Sequence, residues 1–285
     1  MDRPARKNGL ERPFHPFQIS SWILQLFNIM GIFCTTIPCL SPDMRIPIGV
    51  IYTIFQISTI YFGYKLASSI PTDEIVLIFN TSTDKALIMQ LEENSDKYCS
   101  FCKSPVKSTS KHCVRCNRCT TNFDHHCKWV NNCVGEANYK TFVMLIGVCM
   151  FLELIICVVC GNTFVESVIS ARTARRNIKD YYRNDVFFFF QTIQALLALE
   201  GVVFSCLLGY LIGLHLYLRF KGITTYEYIL RKRADTKIIP KEKRFDTSTA
   251  LNNSSYLNNP IKDLQAHCYP NVQKSDRELK ISPRA

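Results

Sequence analysis

The chain has 285 residues and a formal net charge of +11. This length fits one or two soluble domains, and the positive charge suits either nucleic acid or a membrane surface as a partner. The hydrophobic residues make up 47% of the chain, and they are gathered into long uncharged runs that favour a membrane protein over a nucleic-acid-binding one.

The chain begins with a polar segment and then two predicted membrane passes. Residues 1–20 contain several basic residues and show no cleavable signal peptide. Residues 21–66 contain two runs, 21–40 and 46–64, that lack any charged side chain. At about 1.5 Å per residue, each run is long enough to cross a hydrocarbon core of about 30 Å. The short polar turn between them predicts an antiparallel hairpin of helices.

Residues 67–140 are predicted to form a long loop that contains a repeated metal-binding pattern. Seven of the chain's fourteen cysteines and three of its six histidines lie in this loop. Most of them form two sets with the same steps of 3, 10 and 7 residues, the second set displaced by 14 residues. The sets are Cys99, Cys102, His112 and Cys119, then Cys113, Cys116, His126 and Cys133. Three thiolates and one imidazole make a closed tetrahedral zinc site, so the spacing predicts two interleaved structural Zn²⁺ ions.

One cysteine and one histidine of the loop have no place in either set. Cys127 and His125 lie in the run Asp124-His125-His126-Cys127, and the position that would supply a second ligand beside Cys127 is Val130. A thiol becomes a good nucleophile when a base removes its proton, and a histidine oriented by an acid is a common base. The sequence therefore predicts Cys127 as nucleophile, His125 as base and Asp124 as the orienting acid. The alternative, a spare buried cysteine beside a surface histidine, stays open.

Residues 141–219 are predicted to hold two further passes joined by a luminal loop. The hydrophobic runs are 141–164 and 186–218. Glu153 and Glu200 interrupt them, either as parts of a helix–helix hydrogen bond or as functional groups. Residues 220–285 are predicted to be a tail that begins with a juxtamembrane helix and is disordered for most of its length beyond Thr236.

The distribution of basic residues predicts the orientation in the membrane. With four passes, the N-terminus, the metal-binding loop and the tail share one side, and most of the Lys and Arg residues lie there. The positive-inside rule assigns that side to the cytosol, where thiolates also stay reduced. The basic segment 172–183 is a local exception. The expected architecture is an all-α polytopic membrane protein, with four transmembrane helices, a cytosolic cysteine-rich two-zinc domain between helices 2 and 3, and both termini cytosolic.

The loop resembles the DHHC family of protein S-acyltransferases, also called palmitoyltransferases. Four passes with this loop between the second and third are that family's plan, and Thr224-Thr225-Tyr226-Glu227 resembles its Thr-Thr-x-Glu motif. On this resemblance the cysteine-rich domain covers residues 99–142. The matching residues are Cys99-x2-Cys102, His112-Cys113-x2-Cys116-x2-Cys119, Asp124-His125-His126-Cys127, Trp129, Asn132-Cys133-Val134-Gly135, Asn138 and Phe142.

The resemblance implies an activity and its cofactors. A fatty acyl group would move from acyl-CoA, with palmitoyl-CoA as the typical co-substrate, to Cys127 and then to cysteines of membrane-associated substrate proteins. Two structural Zn²⁺ ions would support the loop, and Thr225 and Glu227 would support the site. The implied location is the endoplasmic reticulum or Golgi, with the lipid bilayer as a partner and no nucleic acid. The sequence carries no indication of the oligomeric state.

The chain also departs from the family's pattern in the same region. Lys128 follows the motif cysteine where proline is common, Thr109 stands where an arginine is frequent, and residues 72–74 lack the usual Asp-Pro-Gly. Lys107, Lys111 and Lys128 are the candidates to meet the phosphates of CoA. A second hypothesis is therefore a catalytically weak membrane adaptor that uses the zinc domain to dock proteins.

Overall fold

The computed structural model describes residues 4–242, with side chains as far as residue 235. The polar stretch after residue 242, most of the segment expected to be disordered, lies outside the described residues. The described chain is mostly helical and also contains short strands. The helices are α1 Pro16–Gly31, α2 Pro42–Ser68, α3 Glu74–Thr81, α4 Lys85–Glu93, α5 Tyr139–Ile169, α6 Ala171–Tyr182, α7 Phe187–Phe220 and α8 Thr225–Glu242. The strands are β1 Lys97–Cys99, β2 Ser104–Val106, β3 Lys111–Cys113, β4 Arg118–Thr120, β5 His125–Cys127 and β6 Asn132–Val134.

Within residues 4–242, four helical segments are long and apolar enough to span a membrane. The first continues α1 through a π-helical turn and a 3₁₀ turn and covers Pro16–Cys39, and the others are α2, α5 and α7. Arg45 holds the turn before α2 because its guanidinium donates to the carbonyls of Leu40 and Pro38, at 3.0 Å each. Outward-facing side chains such as Ile54 and Leu199 are well exposed, as expected for helices whose outer surface faces lipid.

The four spans share one core, and polar groups are buried within it. Its fully buried members come from all four segments: Ile32, Tyr52, Leu152, Ile156, Cys160 and Leu197. Nearby, the carboxyl groups of Glu153 and Glu200 lie next to each other. The Asn28 amide donates to Glu200 Oε1 at 3.3 Å. This contact between helices agrees with the first interpretation of these acids, in which they take part in a helix–helix hydrogen bond.

The cysteine-rich region consists of three β-hairpins that repeat at the same interval of 14 residues. The pairs β1–β2, β3–β4 and β5–β6 are antiparallel, and each strand starts 14 residues before its equivalent in the next hairpin. The residues that turn the chain, Lys103, Asn117 and Asn131, keep this interval and have left-handed φ angles of 50°, 50° and 53°. The expectation of an all-α protein is therefore wrong in this region. Two ligands from the same turn can reach one metal ion only if the chain reverses sharply there. The segments on either side of the turn then run antiparallel, and their N–H and C=O groups pair as short strands.

Buried polar side chains attach this module to the end of α2. Asn132 donates through Nδ2 to the carbonyls of Leu66 and Ser69, at 2.9 Å each. Asn138 donates through Nδ2 to Ser69 Oγ at 2.7 Å. Both asparagines are at most 2% exposed, so the hairpins are fixed to the bundle by hydrogen bonds shielded from water.

Asp73 ties α3 to the first hairpins. Its Oδ1 accepts from the Ile75 amide, which caps α3, and its Oδ2 accepts from the Lys107 amide, both at 2.9 Å. Its own amide donates to the Cys119 carbonyl at 2.9 Å. Asp73 is completely buried, so this aspartate anchors the connection although proline and glycine are missing from residues 72–74.

The N-terminal segment, residues 4–15, lies across the module. Arg118 is 1% exposed and donates through Nη1 to the carbonyl of Arg6 at 2.7 Å. The Gly9 amide donates to the Ala67 carbonyl at 2.7 Å. A Cβ atom on Gly9 would lie only 2.1 Å from the carbonyl oxygen of Val130, so only glycine allows this close approach. The chain divides between Thr224 and Thr225, so α8 belongs to a different compact unit from the helices and hairpins before it.

Candidate active site and metal centres

The structure brings the four residues of the first predicted metal set together. Cys99 and Cys119 belong to β1 and β4, His112 to β3, and Cys102 to the turn after β1. The Nδ1 atom of His112 lies 3.7, 3.4 and 3.9 Å from the sulfurs of Cys99, Cys102 and Cys119. Tetrahedral zinc with bonds of about 2.3 Å to sulfur and 2.0 Å to nitrogen places those ligand atoms about 3.5 Å apart. This set could therefore hold a metal ion with little rearrangement.

The second predicted set has the same geometry one repeat later. The Nδ1 atom of His126 lies 3.8, 3.3 and 3.9 Å from the sulfurs of Cys113, Cys116 and Cys133. The sulfurs of Cys116 and Cys133 are 3.4 Å apart. Hairpin β3–β4 supplies ligands to both sets, so the two centres share a structural element.

Cys127 begins a third copy of the metal-binding turn that lacks the second ligand. It occupies the position of Cys99 and Cys113 in the repeat, whereas Val130 occupies that of Cys102 and Cys116. The Cys127 side chain is half-buried and has no disulfide. Within the described residues, the metal-ligand groups do not include Cys127.

The Cys127 thiol faces the apolar end of the helical bundle. It packs against a cluster made by α2, the third hairpin and α5, with partly buried residues of α7 at its edge. Its buried members are Leu66, Ala67, Val130, Val134, Phe142 and Ile146, and the α7 residues are Leu208, Leu211 and Ile212. A group attached to this sulfur can therefore extend directly into apolar surroundings.

His125 is next to this cysteine and is held by a buried acid. Its Nδ1 lies 2.7 Å from Asp124 Oδ2, and the Asp124 side chain is 5% exposed. Burial alone would lower the pKa of His125, but hydrogen bonds to Asp124 and Cys127 outweigh it and raise that pKa to about 9. The Asp124 amide donates to the Val134 carbonyl at 2.9 Å, so the acid is fixed by both backbone and side chain. The arrangement can remove a proton from the thiol and stabilise the resulting imidazolium.

The three candidate lysines have different neighbours. Lys107 pairs with Glu74 at 3.2 Å, beside α3. Lys111 is close enough to Lys97 to lower the pKa of that ammonium group, after the larger effect of burial. Lys128 lies 5.7 Å from the centre of the Phe17 ring. It directly follows the candidate nucleophile in the chain.

The sequence patterns missed two residues in this region, Arg115 and His215. Arg115 and Lys128 both contribute to lowering the pKa of His15, behind burial, so they belong to one basic patch. The side chain of His215, from α7, lies beside Asp124 and His125. The spacing pattern could not find His215, because it stands 90 residues from His125 in the chain. The only signal was a polar ring in an otherwise apolar run.

The residues expected to support the site lie at the start of α8. Thr225 is the first residue of this helix and Glu227 lies in its first turn. An acid in the first turn interacts favourably with the helix dipole.

Comparison with known proteins agrees with the geometry. Residues 92–232 match the family model described as DHHC palmitoyltransferase. The chain is 37% identical over 261 residues to the proteins named Palmitoyltransferase ZDHHC1 of Mus musculus and Homo sapiens, covering 80% of this chain and 51% of theirs. It is 35% identical over 174 residues to Protein S-acyltransferase 18 of Arabidopsis thaliana, covering 59% of this chain and 34% of that one.

The chain thus spans about half the length of the ZDHHC1 relatives it matches. The matched segment contains both metal-ligand sets, the Asp-His-His-Cys run, two of the four candidate spans and the start of α8. The chain belongs to the DHHC palmitoyltransferase family.

Proposed function

We propose that this chain is a protein-cysteine S-palmitoyltransferase that works through an acyl-Cys127 intermediate. One observation carries the proposal. Cys127 begins a copy of the metal-binding turn but lies outside both metal-ligand sets, and it is beside an imidazole that is hydrogen-bonded to a buried carboxylate. A thiol free of metal and adjacent to its own base is the requirement for thioester exchange.

In the first step, Cys127 takes the acyl group from acyl-CoA. His125 accepts the thiol proton, and Asp124 stabilises the imidazolium. The Cys127 thiolate attacks the thioester carbonyl, and the bond between that carbonyl and the CoA sulfur breaks. His125 then returns the proton to the departing CoA thiolate, so the site is neutral again with the acyl chain on Cys127.

In the second step, the acyl group moves to a cysteine of a membrane-associated protein. The substrate thiol gives its proton to His125 and attacks the acyl-Cys127 carbonyl. Cys127 leaves as a thiolate and takes the proton back from His125, which restores the starting thiol and imidazole. One thioester replaces another in both steps, so the site contributes positioning and thiolate supply more than driving force.

The position of the thiol at the end of the bundle suits a long acyl chain. Each methylene that leaves water for apolar surroundings stabilises the complex by about 0.8 kcal/mol. A chain attached to Cys127 can pass into the apolar cluster formed with α2, α5 and α7. This contact explains why such chemistry belongs at a membrane surface.

Two structural Zn²⁺ ions are proposed for the two metal-ligand sets. Closed sites with three thiolates and one imidazole have no open coordination position, so their contribution is to fold the hairpins. For the phosphates of CoA we propose Lys107, Lys111 and Lys128; Lys128 directly follows Cys127 in the chain and shares a basic patch with Arg115.

The proposed topology follows the distribution of charge. The N-terminal segment 1–20, the loop 67–140 with its zinc domain (99–142), and the tail 220–285 face the cytosol. Residues 21–66 and 141–219 form the two helical pairs, with the connection between α5 and α7 in the lumen of the endoplasmic reticulum or Golgi. Thr225 and Glu227 are proposed to support the site from the start of the tail.

Labelling with an alkyne analogue of palmitoyl-CoA tests the proposal. The purified full chain in detergent should acquire about one hydroxylamine-labile acyl group. Cys127→Ala should lose the label. Cys206→Ala removes an exposed thiol of α7 and should label like the wild type. A membrane-tethered peptide with one cysteine, added after labelling, should take up the acyl group.

Two results would contradict this function. Equal labelling of wild type and Cys127→Ala would assign the acyl group to another cysteine. Absence of label on a wild-type protein that contains its two zinc ions would favour the adaptor hypothesis instead.

A further inference from the structure

A second histidine borders the proposed site from the membrane side. His215 lies near the end of α7 and is only 4% exposed. A carboxylate oxygen of Asp124 and ring nitrogens of His125 and His215 all lie within 4.8 Å of one another. The acid that orients the proposed base is therefore flanked by two imidazoles, one from the hairpin module and one from the helical bundle.

The orientation of His215 is set by Tyr139, the first residue of α5. The Tyr139 hydroxyl lies 3.1 Å from His215 Nδ1. When the hydroxyl donates to Nδ1, the proton of the neutral ring is on Nε2. That nitrogen is then the one available to the Asp124 carboxylate.

Phe142 keeps the two imidazoles in place. Its ring makes edge-to-face contacts with His125 and with His215, at centroid distances of 5.1 and 5.0 Å. The two imidazole centroids are 6.0 Å apart. Neither ring can turn far without losing an aromatic contact, so the set has one defined arrangement.

We propose that His215 is a positioning residue for acyl transfer, which holds the Asp124 carboxylate through Nε2–H while Tyr139 holds His215. This inference rests on the proposed function and adds a residue of α7 to it. A fixed carboxylate keeps the His125 proton on Nδ1, so that Nε2 is free to accept the Cys127 proton. Because α7 supplies the donor, the site is complete only when the hairpin module is seated on the bundle.

The test compares two substitutions of His215 with a control on the same helix. His215→Phe keeps the ring shape and removes the donor, whereas His215→Gln keeps an N–H donor of similar reach. Leu216→Phe is the control, since Leu216 is the next residue and is 64% exposed. The readouts are kcat and KM for Cys127 acylation by palmitoyl-CoA, the rate of Cys127 alkylation by iodoacetamide from peptide mass spectrometry, and zinc content.

We expect His215→Phe to lower kcat for acylation by about tenfold to a hundredfold, less than loss of a general base itself. KM should change little, because the acyl-CoA contacts remain, and Cys127 alkylation should slow in parallel. His215→Gln should recover most of the loss. Leu216→Phe should stay within about twofold of the wild type, and every variant should keep two zinc ions per chain.

Three results would overturn the inference. In the first, the wild type is labelled at Cys127 and His215→Phe is acylated at the same rate. That result would remove His215 from the mechanism and leave the proposed function intact. Equal losses in His215→Phe and His215→Gln would indicate a packing role alone. A third metal ion per chain that disappears in His215→Phe would make His215 a metal ligand. Failure of the wild type itself to label contradicts the proposed function, a result distinct from these three.

Discussion

At the scale of single residues, Cys127 shows how a copy of the metal-binding turn can present a thiol that lies outside both metal-ligand sets. Its hairpin has the same antiparallel pairing as the two hairpins that contain Cys99 and Cys113, and a residue with a left-handed φ angle at the same position of the turn. The second ligand position is Val130, which is 8% exposed and packs in the apolar cluster. The thiol therefore occupies the backbone position of a ligand without belonging to either metal-ligand set, and a well-supported position favours reaction.

Removal of one predicted ligand tests the coupling of the two centres. We expect His112→Ala to lower the zinc content from two ions per chain to one or fewer. Hairpin β3–β4 carries ligands of both sets, and metal binding supplies much of the folding free energy of such modules. Inductively coupled plasma mass spectrometry of the purified protein measures this directly, and Cys127 labelling should fall as well.

Val114→Ala is the matched control for that substitution. Val114 lies in the turn of the same hairpin and is 72% exposed, so this variant should keep both ions and its label. Two ions in His112→Ala would refute the assignment of His112 as a ligand.

The difference between what sequence could and could not predict at this scale has a physical cause. Both metal-ligand sets and the Asp124–His125–Cys127 group lie within a few dozen residues, and metal chemistry requires fixed spacings there. His215, Asp73 and Arg118 act through contacts between distant parts of the chain. Their partners depend on how the module sits on the bundle, and no local pattern encodes that.

At the scale of elements, the long helices were predictable and the strands were not. An uncharged run of about twenty residues has few structural options in a membrane. A strand of three residues is too short to show an alternating pattern. The 14-residue displacement between the two ligand sets was nevertheless a sign of the hairpin repeat, because equivalent strands are separated by the same 14 residues.

Close packing of α5 against α7 depends on one glycine. A Cβ on Gly201 would lie 2.8 Å from the backbone nitrogen of Cys157 and 2.9 Å from its Cα. Backbone atoms cannot move aside as a flexible side chain does. Small residues at such crossings let membrane helices approach closely.

We therefore expect Gly201→Ala to destabilise the bundle by about 1 to 3 kcal/mol, the usual effect of overpacking. Gly209→Ala is the control on the same helix, since a Cβ there meets nothing within 4 Å. That change should be neutral or stabilising, because alanine favours a helix by up to about 1 kcal/mol over glycine. Thermal unfolding of the two variants in the same detergent compares them, and equal transition temperatures would contradict the close contact.

At the scale of the whole molecule, two ion pairs lie in the basic segment that opposes the predicted orientation. Arg175 makes a two-fold contact with Asp185, with its Nε 2.9 Å from Oδ2. Arg176 lies 3.9 Å from Asp180. These pairs offset two arginine charges locally, but the positive-inside rule counts Lys and Arg residues and gives acids little weight. The proposed orientation therefore depends on the larger number of basic residues beside α1, in the hairpin module and after α7.

The orientation predicts which parts of the chain a protease can reach in sealed microsomes. Epitope tags at the N-terminus and in the connection between α4 and β1 should be digested from outside, whereas a tag between α6 and α7 should be digested only after detergent is added. Asn80, Asn252 and Asn253 each stand in an Asn-x-Ser/Thr acceptor sequence, and they should stay unglycosylated because the cytosol lacks that modification. Protection of the tag between α4 and β1, or a shift in mobility on treatment with N-glycosidase, would put the proposed nucleophile in the lumen and so rule out cytosolic acyl-CoA as its substrate.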